Sequence, residues 1–280
     1  MTVAAAVSIR DALHGARTAI AAAGSPSAAL DAELLLADAL ATTRARIHAD
    51  PQAPVAGAAI RVFRDHVRRR SALHEPVAYI VGRRAFRRLE IAVDARVLVP
   101  RPETELLVEL AVDALPRGAA VLDCCCGSGA IALALADERP DLRVSGSDVD
   151  ERALAVAAAN GARLRLEVSW SRADLLEGLP DAHDAIVANP PYVETAAIDA
   201  LAPEIAHHEP HGALDGGPGG LDVIDRLVAQ AARRSARTLI LEHGDGQADA
   251  VERLCRDAGF DHVARRRDLA GIERAVRATR

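Results

Sequence analysis

Apolar positions recur at helical spacing through the first quarter of the chain and then change period. In 29–40 (ALDAELLLADAL), Leu30, Leu34 and Leu40 form a helical stripe. Asp31 and Glu33 stand early in that run, where a helix N-terminus favours negative charge. A second amphipathic stretch runs from Ala58 to Leu73 and carries Arg61, Arg64, Arg68, Arg69 and Arg70; a charge run of this kind reads as a solvated face. Between them, Pro51 and Pro54 mark a loop that runs to Gly57. From 78 to 99 the residues become β-branched and alternate at Leu89, Ile91 and Val93, which predicts two short strands joined by a turn near Asp94.

From Pro102 onward helix and strand patterns alternate. The helix ETELLVELAVDAL leads to the buried strand AAVLD, a glycine-containing loop and the helix AIALALADE. The strand RVSGSD follows, then the helix DERALAVAAANG, expected to end on Gly161. RLEVSW, DAIVAN and TLILEH read as further strands. Such alternation implies right-handed crossovers and a doubly wound parallel sheet. A Pro/Gly-rich insertion over 193–220 lies after DAIVAN, above the carboxyl ends of the strands, where ligands bind in such sheets. The expected organisation is a helical region over 1–76, a hairpin linker over 77–100 and an α/β domain over 101–280.

Composition narrows the class. Half of the 280 residues are hydrophobic and only 2% aromatic, so the core is aliphatic. All 34 basic residues are Arg, which reads as a coding bias. The net charge of -6 is not that of a chain that wraps nucleic acid through its phosphates, so no stable nucleic-acid partner is expected. No apolar run reaches the roughly 18 residues a membrane span needs. Arg10 and Asp11 interrupt the apolar start early, unlike a secretory signal. Cys124, Cys125 and Cys126 are adjacent and Cys255 stands apart, a spacing that suits neither a disulfide framework nor a metal site. The chain reads as cytoplasmic.

Two motifs carry chemistry. In the first, the strand ending at Asp123 runs into Cys124-Cys125-Cys126-Gly127-Ser128-Gly129 and a helix. Glycines admit a ligand close to the backbone, and the helix N-terminus offers unpaired N–H groups. About 20 residues on, a second strand ends in Asp148, placed to accept hydrogen bonds from ribose hydroxyls. This pair suggests a nucleoside-containing cofactor without choosing among them. The second motif is Asn189-Pro190-Pro191-Tyr192 at a strand end. Consecutive prolines cannot donate ladder hydrogen bonds, so the strand stops there. The Asn189 side-chain oxygen and the Pro190 carbonyl then make a paired acceptor for a planar –NH2 group, with Tyr192 over its flat face. An amide or exocyclic amine is a weak nucleophile, so positioning and desolvation would supply most of the acceleration.

This NPPY segment behind a nucleoside-binding loop resembles the amino-group methyltransferases, which act on DNA bases or on protein glutamine. His74 to Gly82, Val97 to Glu105 (VLVPRPETE), Glu209-Pro210, Ala213 to Gly217, Gly220 to Asp222, Leu241 to Gly244 with Gln247, and Asp268 to Gly271 closely resemble the HemK/PrmC-type protein glutamine methyltransferases. The resemblance runs from about Ala28 to Ala275. It implies an S-adenosylmethionine-dependent enzyme that methylates a glutamine side-chain amide in peptide chain release factors, the alternative being another protein or a nucleic-acid base. The implied fold is a seven-stranded class I methyltransferase domain whose last strand is antiparallel, with a small N-terminal helical substrate-recognition domain and a linking hairpin. By the same resemblance, Cys125, Cys126, Gly127, Ser128 and Gly129 form the cofactor loop and Asp148 holds the ribose. Asp174 and Leu175 stand beside the adenine, Asn189 touches cofactor and substrate, and Asn189 to Tyr192 hold the glutamine. The chain departs from the family twice. Cys125 replaces the first glycine of Asp-x-Gly-x-Gly-x-Gly. Arg87 and Arg88 stand where an aromatic and a small residue are usual, near the side expected to face substrate.

Overall fold

The computed structural model describes residues 7–280; the expected helical start and the reading of the first residues lie in part on 1–6, outside the described residues. The chain forms two compact units. One is the chain up to Gly82 joined by Ala202–His208; the other is Arg83–Leu201 with Glu209–Arg280.

In the first unit, β1 (Val7–Ser8) pairs antiparallel with β2 (Pro54–Val55) inside the segment expected as plain loop. The helices are α1 (Ile9–Ala22), α2 (Ala28–Ala39), α3 (Arg44–Ala49), α4 (Gly57–Ala72) and α5 (Val77–Val81). The buried face of α2 differs from the expected stripe. Ala32, Leu35 and Leu36 are fully buried while Leu30 is 42% exposed. Asp31 and Glu33 share that buried face because each is neutralised there. Asp31 pairs with the buried Arg70 at 2.7 Å, and Glu33 with Arg17 and Arg44 at 2.9 and 2.7 Å. Arg70 therefore leaves the solvated face of α4, and its second amino group reaches Glu204 of the one-turn helix Pro203–Ala206 at 3.2 Å. The β-branched run Val77–Val81 is helical rather than extended. Ile80 packs into the aliphatic core of this unit, and Gly82, at φ +73°, closes the turn in the left-handed conformation that glycine adopts freely.

The second unit opens with a hairpin, β3 (Arg83–Phe86) and β4 (Leu89–Ala92). Its turn is at Arg87-Arg88, not near Asp94. Arg87 sits at φ +54°, donates its backbone N–H to Glu105, and clamps Glu138 and Glu109 with its guanidinium at 2.7–2.9 Å. The unusual arginine is thus bound to the helices behind the hairpin, α6 (Glu105–Ala114) and α7 (Ala130–Glu138). Arg88 faces Asp137 at 3.5 Å.

The remaining strands are β5 (Ala120–Cys124), β6 (Arg143–Asp148), β7 (Ser169–Arg172), β8 (Ala185–Ala188), β9 (Thr238–Glu242), β10 (His262–Arg267) and β11 (Glu273–Thr279). They form one sheet in the order β10-β11-β9-β8-β5-β6-β7, parallel except for β11, which is antiparallel to both neighbours. Seven strands with the last one antiparallel are what the resemblance implied for a class I methyltransferase domain. Every residue of β5 and β8 is buried, as expected of central strands covered on both faces. Helix α8 (Glu151–Leu164) runs past Gly161 and ends at Arg165, φ +59°. At Gly161, inside the helix, a Cβ would meet Leu166, Leu133 and Trp170 only at ordinary contact distances of 3.4–3.8 Å. The chain winds from β5 outward to β7, then returns to β8 on the other side of β5. Ligands in such sheets bind where that reversal opens a crevice, at the carboxyl ends of β5 and β8.

Candidate active site

Beside β5 the site is made of backbone. Cys125 follows the strand at φ +60°, and Gly127 and Gly129 follow at +52° and +80°. The left-handed bend at Cys125 is costly for a side chain with a Cβ, of order 1–2 kcal/mol. The turn is held by Cys126 N–H on Ser147 O (2.9 Å), Gly129 N–H on Cys126 O (2.8 Å) and Gly127 N–H on the Asp148 carboxylate (2.9 Å). A Cβ on Gly129 would lie 2.7 Å from the Trp170 ring, so the loop can take this path only with glycine there. Asp123 is fully buried beneath it and accepts the Ala132 N–H at 3.0 Å, while its other oxygen has no partner. Burial, little relieved by that one bond, pushes its carboxyl up to about 8. Asp148 closes β6, with its other oxygen accepting the Asp150 N–H at 3.0 Å. Burial raises its pKa too. Asn160, buried in α8, joins this loop to the hairpin. Its amide donates to Ser128 O and Ala92 O and accepts the Ala92 N–H.

Asp174 and Leu175 follow β7. Leu175 is buried at φ +56° in the same aliphatic cluster that supports Ala188 and Cys125. Asp174 is half-exposed and pairs with Arg226 at 2.6 Å.

Beside β8 the site is made of side chains. Asn189 Nδ2 donates to Thr104 Oγ1 at 3.1 Å; Thr104 Oγ1 donates to Glu242 Oε2 at 2.7 Å; Tyr192 Oη donates to Glu242 Oε1 at 3.0 Å. Thr104 ends the 3-10 turn Pro102–Thr104 and Glu242 ends β9, so the strand-end asparagine is tied to both of its neighbours in space. Glu242 is buried, which raises its carboxyl above the usual range, although both hydroxyls pull it back. Burial and the adjacent Glu242 carboxylate push the Tyr192 phenol up as well. Pro190 is buried.

The backbone past Tyr192 is braced by the insertion. Val193 N–H donates to Leu214 O at 2.9 Å and Gly216 N–H to Val193 O at 2.8 Å. Gln247 donates to Tyr192 O and accepts the Gly244 N–H, at 2.9 and 2.8 Å. A Cβ on Gly216 would fall 2.6 Å from Gly220 O and 2.7 Å from Tyr192 Cα, so that contact requires glycine. Arg101, of the same segment as Thr104, grips the buried Glu209 carboxylate with bonds of 2.8 and 2.7 Å.

The structure thus brings Cys125 to Gly129, after β5, against Asp148, at the end of β6, and places Asn189 to Tyr192 after β8, on the other side of β5. Residue reasoning missed Thr104, Glu242 and Gln247. All three lie in the blocks that carried the family resemblance, yet nothing in a linear pattern says that a threonine and a glutamate 138 residues apart share a hydrogen bond.

The Methyltransferase small domain family matches residues 102–234, and the PrmC N-terminal domain matches residues 11–82. Release factor glutamine methyltransferase from Mycolicibacterium smegmatis is 41% identical over 97% of this chain and 98% of its own. The protein of the same name from Caulobacter vibrioides is 40% identical over 91% of this chain and 90% of its own. Among solved structures, a methyltransferase from Pyrococcus furiosus covers 68% of this chain and 88% of its own with a TM-score of 0.54; at 17% identity it shares the fold.

Proposed function

The chain belongs to the release factor glutamine methyltransferase family, and we propose that it transfers a methyl group from S-adenosylmethionine to the side-chain amide nitrogen of the Gly-Gly-Gln glutamine in peptide chain release factors. The observation that carries this reading is the orientation of Asn189. With Nδ2 engaged by Thr104, its Oδ1 is the end left for a ligand at the strand terminus. An acceptor there suits a substrate that brings N–H bonds, and a primary amide brings two.

Two features of the loop after β5 support S-adenosylmethionine as the methyl donor. A buried carboxylate oxygen of Asp123 lacks a partner, and the positive-φ residues Cys125, Gly127 and Gly129 open the backbone ahead of α7. Cys125 to Gly129 would hold the amino-acid end, Asp148 the ribose, and Asp174 with Leu175 the adenine. When bound, this cofactor supplies a methyl group on a sulfonium.

The chain's own part is orientation. An amide nitrogen is a poor nucleophile because its lone pair is delocalised. Two acceptors, Asn189 Oδ1 and the Pro190 carbonyl, would fix both N–H bonds, and the Tyr192 ring would cover the amide plane. Holding a reactant this way removes entropy and solvent reorganisation from the barrier, so positioning supplies most of the acceleration, and the nitrogen releases one N–H proton to solvent as it takes the methyl group. A glutamine on a glycine-flanked loop can enter edge-first, which one within a regular helix cannot. The test is mass spectrometry of release factors from cells with and without this protein. The Gly-Gly-Gln glutamine should be heavier by one methyl group only when the protein is present; an unmodified glutamine in both would overturn the reading.

A further inference from the structure

The family reading assigns the amide grip to the NPPY segment. It leaves open why an asparagine, whose two ends are nearly the same shape, turns its oxygen and not its nitrogen to the substrate. An inverted Asn189 would put –NH2 against –NH2 and repel the substrate. The segment itself contains nothing that forbids the inversion. Amide orientation is set by hydrogen-bond partners.

Those partners form a chain with one direction. Glu242, when ionised, only accepts. It is 2% exposed, so solvent does not supply an alternative donor, and both of its oxygens are engaged by hydroxyls, Thr104 at 2.7 Å and Tyr192 at 3.0 Å. A threonine hydroxyl has one proton. Once that proton is committed to Glu242, Thr104 Oγ1 can only accept, and what lies 3.1 Å from it must be the NH2 end of Asn189. We infer that Thr104 and Glu242 are positioning residues that set the polarity of the acceptor site, the buried carboxylate forcing Asn189, through the Thr104 hydroxyl, to present its carbonyl oxygen. The inference rests on the proposed function and deepens it. It makes selection for an –NH2-bearing acceptor a property of three chain segments, the Pro102–Thr104 turn, the end of β8 and the end of β9. The same carboxylate also holds Tyr192, so one buried charge fixes both the edge and the cover of the amide site.

Three variants test it in the full-length protein. Thr104→Val keeps the shape of the side chain but has no hydroxyl; Thr104→Ser restores it; Glu242→Gln can donate to Thr104 and so reverse the chain. With a release factor as substrate, Thr104→Val should lower kcat by roughly 10- to 100-fold, the scale of a misplaced reactant, with KM little changed. Thr104→Ser should recover most of the loss. The double variant Thr104→Val/Glu242→Gln should be no worse than the poorer single one, because members of one network do not act additively. A wild-type kcat in Thr104→Val, or losses that multiply, would overturn the inference. A second readout needs no substrate. Solvent exchange of the Asn189 side-chain amide protons, followed by nitrogen-15 NMR, should be slow in wild type and Thr104→Ser and faster in Thr104→Val. Equal exchange in all three would refute the relay whatever the activity. A wild-type protein that methylates no release factor but shows the expected exchange pattern would instead refute the assigned substrate.

Discussion

The two halves of the site are built from different material. At the end of β5, the elements that shape the loop are backbone: positive-φ residues, N–H groups and a glycine that a tryptophan ring crowds. At the end of β8, they are side chains: Asn189, Thr104, Glu242 and Tyr192 in one hydrogen-bonded row. A backbone-built site tolerates exchange of side chains that point away from the ligand, so long as the chain can follow the same path. A site built on a row of side chains has no such slack, since each member decides the orientation of the next. This explains how a cysteine can stand at the first position of the glycine loop while the NPPY segment is intact.

The largest expected effect sharpens the second half of the comparison. Asn189→Ala should fold normally and lose about 2.7–4 kcal/mol of transition-state stabilisation, the magnitude found when one pre-positioned polar group is removed from an active site. Circular dichroism with kcat measurement checks it, and retained turnover in the folded variant would break the distinction. Next, Gly216→Ala places a methyl group on backbone atoms of Gly220 and Tyr192 that cannot move aside cheaply. Overpacking of this kind costs about 1–3 kcal/mol, so a lower thermal midpoint and a reduced kcat should appear together. Asp148→Ala should weaken S-adenosylmethionine by about 1–3 kcal/mol, since ribose hydroxyls and the Gly127 N–H both lose an acceptor. Calorimetric affinity equal to wild type would remove Asp148 from the ribose role. The smallest effect is that of Cys125→Gly. Relief of the left-handed bend, of order 1–2 kcal/mol, is largely offset by the entropy glycine adds to the unfolded chain, roughly 0.5–1 kcal/mol. Stability should rise by no more than about 1 kcal/mol with cofactor affinity retained. A large gain in affinity would mean that the cysteine side chain reaches the ligand after all, and that the first half is not purely backbone.

Much of the second unit was legible in the sequence because its signals are local. A buried strand, a glycine turn and a helix follow one another without a gap from Ala120 to Glu138, and the prolines after Asn189 end a strand by their own chemistry. What was not legible depends on partners distant in the chain. The stripe on α2 misled because Asp31 and Glu33 count as polar until Arg70, Arg17 and Arg44 neutralise them. Val77–Val81 carries a strand composition, and tertiary packing of Ile80 with the Gly82 cap made it a helix. Arg87 read as a change near the substrate; its acidic partners Glu105, Glu109 and Glu138 lie 18, 22 and 51 residues away and bind it to the fold. The last two strands, β10 at the sheet edge and β11 beside it, carry arginines on half-exposed faces, and only the family resemblance anticipated them. Glu242 illustrates the same limit within the site, since its role is visible only once β9 lies beside β8.

The proposed acceptor is a glutamine amide delivered on a flexible glycine-rich loop. The most direct measurement incubates the protein with methyl-labelled S-adenosylmethionine and a release factor whose Gly-Gly-Gln loop is intact or changed to Gly-Gly-Ala. Label should appear on the intact protein alone, whereas label on both versions, or on neither, would contradict the account.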